Sequence, residues 1–468
     1  METKDSKISI DMSFTHDLWN KMPRPAMVLA PMVDASELAW RLLGRRHGAT
    51  IAFSPMFHSV NFVKDARYRR EALQTCAEDC PLVIQFCGNN VALLLTAAQM
   101  AQDYCDAIDL NLGCPQAIAK RGLYGAYLQE DWSRLSAIVS VMSGELRIPV
   151  SCKVRVFESI DKTVEYAKML EEAGCSLLTV HGRTREQKGP LTGLASWAHI
   201  KAVKENVKIP VIGNGNVQCL EDVKRFIEET GVDGVMSAEG HLTNPYIFEG
   251  LAPPVWQPAL EYLELVDRYP SPNAFVRGHL FKLFHKLFRL KENAEIREEI
   301  AKGSSIDQFR NAVLKLKEKY LPIHEGEQSW DEPYSSYDLF LPPWICQSYV
   351  RMSPEEYTKK MAEKSKEAQE KENCKTEEKI RFYGNGEITL LSKKKLKRMA
   401  RGLTKRKVMT KCVACLNPMS LKCMYSLCKT CCKKKCYIEG LDCKGHNFLV
   451  KTKRQKVRQL GMKKSKSF

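Results

Sequence analysis

The chain has no apolar run approaching the length of about 20 residues that a membrane-spanning helix needs, so no such helix is expected. It lacks a basic-then-apolar leader: residues from Met1 to Met22 are polar and mixed in charge, so no secretory signal is expected either. It has no dinucleotide fingerprint and no convincing internal repeat. Acid is in short supply, with 55 Asp and Glu against 72 Lys and Arg. The net charge of +17 suits a polyanionic partner such as nucleic acid, although a membrane surface would satisfy the charge alone.

Cysteine, by contrast, is abundant. Without a leader, the 18 cysteines read as free thiols and metal ligands of an intracellular protein rather than as disulfides. Eight of them crowd between Cys412 and Cys443.

From about Pro25 to Phe248, eight short apolar runs alternate with longer mixed segments. The runs are MVLAPM (27–32), TIAFSPM (50–56), PLVIQF (81–86), AIDLNLG (107–113), PVSCKVR (149–155), SLLTVHG (176–182), IPVIGNG (209–215) and DGVMSA (233–238). They are too short for core helices. Most are rich in Val, Ile, Leu or Thr, as strands buried on both faces are. Segments between them, such as TVEYAKMLEEAG and CLEDVKRFIEETG, have helical spacing and end in a glycine suited to a cap. This count predicts a (β/α)8 TIM barrel. A doubly wound sheet is the alternative, with fewer strands as a rule.

Residues from about Pro253 to Pro322 read as an all-helical domain. VRGHLFKLFHKLFRL (276–290) reads as one amphipathic basic helix, open to a bundle role or an RNA-facing one. The expected division is an N-terminal extension (1–24), the barrel (25–252), the helical domain (253–322), a charged linker (323–390), a basic segment (391–411), a cysteine-rich module (412–448) and a basic tail (449–468). The linker could hold a charged helix from Pro354 to about Lys375. Lys393 to Lys411 carries ten Lys or Arg and no acid, and Lys451 to Lys466 is a second acid-free basic run.

The chemical residues of the barrel fall at the C-terminal ends of predicted strands, the rim where barrel enzymes build their sites. Asn111 and Cys114 follow strand four, Lys153 and Arg155 end strand five, His181 and Arg183 follow strand six, and Asn214 to Asn216 follow strand seven. Taken singly, these are a small buried cysteine, paired charges, a core histidine and a turn. Taken together on one rim, they read as a cofactor site. Cys114 sits in a Gly-Cys-Pro turn that holds a thiol outward, where it can serve as a general acid if it stays protonated.

APM, IQFCG, DLNLGCPQ, KVR, LTVHGRTREQKG and IGNGNV occur in this order and at sensible separations. The ordered set resembles the tRNA-dihydrouridine synthases over about residues 25–320. The cysteine-rich basic tail and the SAEG segment look most like the eukaryotic 16/17 branch of that family. The resemblance implies FMN-dependent reduction of D-loop uridine in tRNA with NADPH or NADH, with the proton coming from Cys114. It also implies that Pro31, Met32 and Val33 line the flavin ring, that Gln85 bonds its pyrimidine edge, and that Lys153 and His181 approach it. Asn214, Gly215, Asn216, Ala238 and Glu239 are expected around the ribityl phosphate. Many relatives carry Gly-Arg where this chain has Ala238-Glu239. An acid is a poor neighbour for phosphate, so backbone N–H groups are expected to do the binding while the Glu239 side chain points elsewhere. Asn111, Arg155 and Arg183 are the expected uracil contacts.

In the tail, Cys412, Cys415, Cys423, Cys428, Cys431, Cys432, Cys436, Cys443 and His446 include two C-x2-C pairs and a terminal C-x2-H. That suffices for two tetrahedral zinc sites, with Cys436 as the extra residue. The spacing is similar to the zinc finger of plant SHI-related proteins, with a longer gap before Cys443. The flanking basic runs suit a grip on tRNA phosphates. KKKLKR (393–398) also suits a nuclear import signal, so the location expected is cytoplasm, nucleus or both. A flavin reductase of a small pyrimidine and a non-catalytic RNA-binding barrel are the competing readings.

Overall fold

A computed structural model of the chain describes residue 19, residues 23–330, 341–349 and 353–363, and residues 411–455 apart from 416, 421 and 453. Each of the eight apolar runs becomes one strand: β1 (Ala26–Leu29), β2 (Ile51–His58), β3 (Leu82–Cys87), β4 (Ala107–Leu112), β5 (Val150–Arg155), β6 (Leu177–His181), β7 (Val211–Asn214) and β8 (Gly234–Ser237). All pair in parallel with their sequence neighbours, and β1 pairs with β8 to close the barrel. Closure excludes the doubly wound sheet.

Alternation along each strand decides which residues meet inside. Val28, Phe53, Val83, Ala107, Leu177, Ile212 and Met236 fill the interior. Their out-of-phase neighbours, such as Leu29, Ala52, Ile84, Ile108, Cys152, Leu178 and Val235, join the layer between strands and helices. In the same inward phase, but nearer the C-terminal ends, the chain carries Gln85, Asp109, Asn111, Lys153, His181 and Asn214 in place of hydrocarbons. The opposite end of the barrel is plugged by Trp19. Its ring is buried among the interior residues, and its indole N–H donates to Ser176 Oγ at 3.1 Å. Thus the extension read from sequence as 1–24 supplies the barrel floor. The rest of that extension up to residue 22 lies outside the described residues.

The helix Leu220–Thr230 ends as its sequence suggests, with Gly231 at φ +68° donating its N–H to Ile227 O at 2.8 Å. The helical domain contains helices Trp256–Arg268, Asn273–Leu283, Ala294–Lys302 and Ile306–His324. It is tied to the barrel by Glu37, which accepts from Tyr262 Oη at 2.6 Å and pairs with His279 Nε2 at 3.1 Å. Trp40 stacks on His279 with ring centroids 3.9 Å apart.

Two expectations are corrected here. The segment 276–290 is not one helix: it stops at Leu283 and turns, so that Phe284, Leu287, Phe288 and Leu290 are all buried. Asn293 Nδ2 satisfies the Leu287 carbonyl at 2.9 Å. Nor is it a basic stripe. Arg277 caps another helix through the carbonyls of Ile300 and Gly303, and Lys286 is buried, which leaves Arg289 exposed. The linker is also not wholly a spacer. Trp344 is buried and stacks on Tyr320, and its carbonyl accepts from Val255 N–H at 2.8 Å. The charged helix is present over residues 354–363, and its expected continuation lies outside the described residues.

The cysteine-rich unit has the helix Lys429–Glu439 and a two-stranded antiparallel pair, Asp442–Cys443 with Phe448–Leu449. The basic runs at 391–410 and beyond 455, with the import signal, lie outside the described residues. No helix of the described residues is long and apolar enough to cross a membrane.

Candidate active site

The Gly-Cys-Pro turn follows β4 and is held by hydrogen bonds on every side. Asn111 Oδ1 accepts from Cys114 N–H at 2.9 Å and from Gly113 N–H at 3.3 Å. The Gly113 carbonyl accepts from Arg155 Nε at 2.8 Å. The Cys114 carbonyl accepts from Ala126 N–H at 3.1 Å. The Pro115 carbonyl accepts from Tyr127 Oη at 3.0 Å and Lys188 Nζ at 3.1 Å. Gly125 lets the chain fold back over the cysteine: at φ +61°, a Cβ there would sit 2.8 Å from Cys114 O. The Cys114 side chain is half-buried beside Cys87, Tyr124, Tyr127 and Met56.

Next to this turn runs a line of buried polar groups. Gln85, Asp109 and Ser151 are in register across β3, β4 and β5. Asp109 accepts from Gln85 Nε2 at 2.8 Å and from Ser151 Oγ at 2.7 Å. Gln85 Oε1 accepts from Asn111 Nδ2 at 2.8 Å. Burial pushes the Asp109 carboxyl up to about 7, against the opposing pull of Ser151, Gln85 and the nearby Lys153.

Lys153 Nζ donates to Asn214 Oδ1 at 3.1 Å, and Asn214 Nδ2 donates to Met236 O at 2.8 Å. Burial, and then the charge of Arg155, lower Lys153 to about 8. The His181 imidazole is held neutral, well below its usual range, by burial and by Lys153, Arg155 and Arg183. Arg183 Nη1 lies 3.1 Å from His181 Nε2. A guanidinium only donates, so Nε2 is the acceptor and the ring proton sits on Nδ1.

The expected uracil contacts therefore carry a second task. Arg155 is buried and spans the carbonyls of Gly113, Thr184 and Gln187, with distances of 2.6–3.0 Å. Arg183 donates to Gly193 O and to Asn216 Oδ1. Asn216, at φ +62°, also bonds both the N–H and the C=O of Ala195. Its side chain pins one loop to another, while Gly215 brings the backbone close: a Cβ there would meet Ala195 Cβ at 2.6 Å.

Pro31 and Met32 are half-buried after β1, with Met32 packed on the barrel interior, and Val33 is exposed. Ala238 precedes the short helix Glu239–Thr243, on which Glu239 is exposed. A mouth lined by amide donors and acceptors, one ammonium and a neutral imidazole, beside a glycine-tightened turn, fits a flavin in both its polar ring edge and its phosphate. Sequence reasoning gave no role to Asp109, Ser151, Tyr127 or Lys188. The inward phase that Asp109 and Ser151 share with Asn111 and Lys153 is the signal that marks those two.

In the tail, the sulfurs of Cys412, Cys415, Cys428 and Cys431 form one group, and Cys423, Cys432, Cys443 and His446 form another. Within each group the donor atoms all lie within 4.8 Å of one another. A tetrahedral zinc with bonds to sulfur of about 2.3 Å separates its sulfurs by about 3.8 Å, so both groups fit. They comprise the eight expected ligands, and the expected extra residue, Cys436, is outside both. It is buried, with its sulfur 3.9 Å from that of Cys432.

Comparison with known proteins gives concordant results. Residues 28–319 match the family described as Dihydrouridine synthase (Dus). The chain is 49% identical over 438 residues to the Mus musculus protein named tRNA-dihydrouridine(16/17) synthase [NAD(P)(+)]-like, covering 92% of this chain and 89% of that one. It is 41% identical over 362 residues to the tRNA-dihydrouridine(16/17) synthase [NAD(P)(+)] of Schizosaccharomyces pombe, covering 72% and 90%. Against the Homo sapiens tRNA-dihydrouridine(20a/20b) synthase [NAD(P)+]-like protein, identity is 34% over 268 residues, covering 57% and 84%. The family match runs from β1 to the last helix of the helical domain and takes in every residue of the barrel mouth from Pro31 to Glu239. The chain belongs to the dihydrouridine synthase family.

Proposed function

We propose that this chain reduces uridines in the D loop of tRNA to 5,6-dihydrouridine, at positions 16 and 17, with NADPH or NADH as reductant. The observation that carries the reading is that Cys114 shares one barrel mouth with Gln85, Asn111, Lys153, His181 and Asn214. The higher identity to the 16/17 proteins than to the 20a/20b protein supports the choice of positions.

FMN, when bound, would supply the hydride for carbon 6 of the uracil. Pro31, Met32, Val33, Gln85, Lys153 and His181 would hold its ring, and Asn214, Gly215 and Asn216 with the backbone at Ala238 and Glu239 would hold its phosphate. Lys153 sets a fixed positive charge beside the electron-rich ring edge. Neutral His181 adds a hydrogen-bonding group without a second charge. Cys114 gives its thiol proton to carbon 5, on the face opposite the hydride. The turn that holds the thiol is braced by Asn111 and Arg155, so the sulfur is preorganised before the base arrives. Asn111, Arg155 and Arg183 border the space that a uracil turned out of the folded tRNA would enter.

The tail would hold two zinc ions, one on Cys412, Cys415, Cys428 and Cys431 and one on Cys423, Cys432, Cys443 and His446. The basic runs beside it grip tRNA phosphates, in the cytoplasm, the nucleus or both. The test is position-resolved measurement of dihydrouridine in tRNA from cells lacking the protein. Loss at positions 16 and 17 alone is expected, and undiminished dihydrouridine at both would overturn the reading.

A further inference from the structure

We propose that Asp109 is a positioning residue for Cys114, acting through Gln85 and Asn111. The inference rests on the reading of Cys114 as proton donor and adds the device that aims it.

The four residues form one directed chain. Cys114 N–H donates to Asn111 Oδ1, Asn111 Nδ2 donates to Gln85 Oε1, and Gln85 Nε2 donates to Asp109 Oδ2. The lengths are 2.9, 2.8 and 2.8 Å. A side-chain amide can be turned end for end at little cost, so the two amides alone would leave the direction open. The ends close it. A backbone N–H can only donate, and the Asp109 oxygen that faces Gln85 accepts, whether the carboxyl is ionised or holds its proton on the oxygen facing Ser151. With a donor at the Cys114 end and an acceptor at the Asp109 end, each amide has one orientation that satisfies both neighbours.

Asp109, Gln85 and Ser151 are completely buried, so water cannot replace a missing partner. Ser151 Oγ occupies the other carboxylate oxygen and holds the carboxyl plane in register with Gln85. The carboxylate thus does its work without approaching the reacting atoms. It fixes Gln85, which fixes Asn111, which closes the turn on Cys114. The same chain leaves the second N–H of Asn111 for the uracil.

Three variants of the FMN-loaded full chain test this. Asp109→Leu removes the acceptor. Asp109→Asn keeps one for Gln85, because its own amide N–H can turn to the Ser151 hydroxyl. Asn111→Asp breaks the next link while still accepting from Cys114 N–H, and it covers the case in which Asp109→Leu does not fold. Two readouts are taken: single-turnover uridine reduction with tRNA and the rate of iodoacetamide alkylation at Cys114, mapped by mass spectrometry.

Asp109→Leu and Asn111→Asp should each slow uridine reduction by about tenfold or more, and the double variant should be no worse than the poorer single one. The alkylation rate at Cys114 should change in both, while half-saturation by tRNA should stay near wild type in Asp109→Leu. Asp109→Asn should stay within about threefold of wild type in both readouts. Wild-type behaviour of Asp109→Leu, additive losses in the double variant, or an Asp109→Asn as impaired as Asp109→Leu would each overturn the inference. If the wild-type chain makes no dihydrouridine, the functional reading fails, while Cys114 alkylation still decides whether the hydrogen-bonded chain exists.

Discussion

Arg155 donates its Nε–H to the carbonyl of Gly113 at 2.8 Å, and its other end reaches the carbonyls of Thr184 and Gln187. One side chain therefore joins the cysteine turn after β4 to the loop after β6. Burial and Arg183 lower the guanidinium only to about 10, so it remains charged at neutral pH.

Arg155→Ala leaves three carbonyls without this donor, each worth about 1–3 kcal/mol if it stays buried and unpaired. Uridine reduction should fall by about a hundredfold, chiefly in kcat, with a lower Tm. Arg155→Lys, which lacks the planar fork, should recover little of the loss. Steady-state kinetics on unmodified tRNA check this. A change confined to KM would mean that Arg155 binds substrate rather than bracing the turn.

Lys153 carries a pH signature. Its folded-state value is lowered to about 8 from 10.5, so the ammonium is present below about 8 and lost as pH rises through it. FMN affinity of the apoprotein should be flat up to about pH 7.5 and weaken above about 8. Lys153→Gln should bind more weakly and lose the upper limb. The same shift predicts that the strain of burying this charge is relieved between about 8 and 10.5, where the unfolded chain holds the extra proton, so this group's contribution to stability rises there. Fluorescence titration with FMN across pH measures the first effect, and equal slopes in both proteins would contradict it.

Zinc content is a third test. The full chain should hold two zinc ions. Cys432→Ser should hold one tightly, and Cys436→Ser should keep both, because Cys436 belongs to neither donor group. Metal analysis after dialysis against a weak chelator decides it. Loss of one ion in Cys436→Ser would reassign the ligands.

Removing residues 391–468 should weaken tRNA binding and flatten its dependence on salt. Each phosphate that the tail no longer neutralises lowers the slope of log K against log salt by about 0.7–0.9. An unchanged slope would show that the tail does not touch phosphate.

Much of this was legible in the residues themselves. Parallel strands buried on both faces appear as plain apolar runs, which is why all eight strands could be read. The position of Asn111, Lys153, His181 and Asn214 at the C-terminal ends of predicted strands put the site on one rim. What escaped depends on distant partners. Nothing in the polar stretch around Trp19 announces that it plugs the barrel beside Ser176. The charge of Lys286 suggested a wet helix face, but the helix stops at Leu283 and Lys286 is buried in the turn that follows. A polar composition hid Trp344 inside the linker. Cysteine spacing gave the eight ligands but not their division, because the two groups interleave along the chain.

Every role assigned to the barrel mouth turns on Cys114 delivering the proton to uracil. Purified full chain and its Cys114→Ala variant, each with FMN bound, are mixed with unmodified tRNA and NADPH, and dihydrouridine at positions 16 and 17 is counted against time. Flavin reduction should be normal in both proteins, with dihydrouridine formation slowed by about a hundredfold or more in Cys114→Ala. Equal rates of dihydrouridine formation would contradict the proton-donor role.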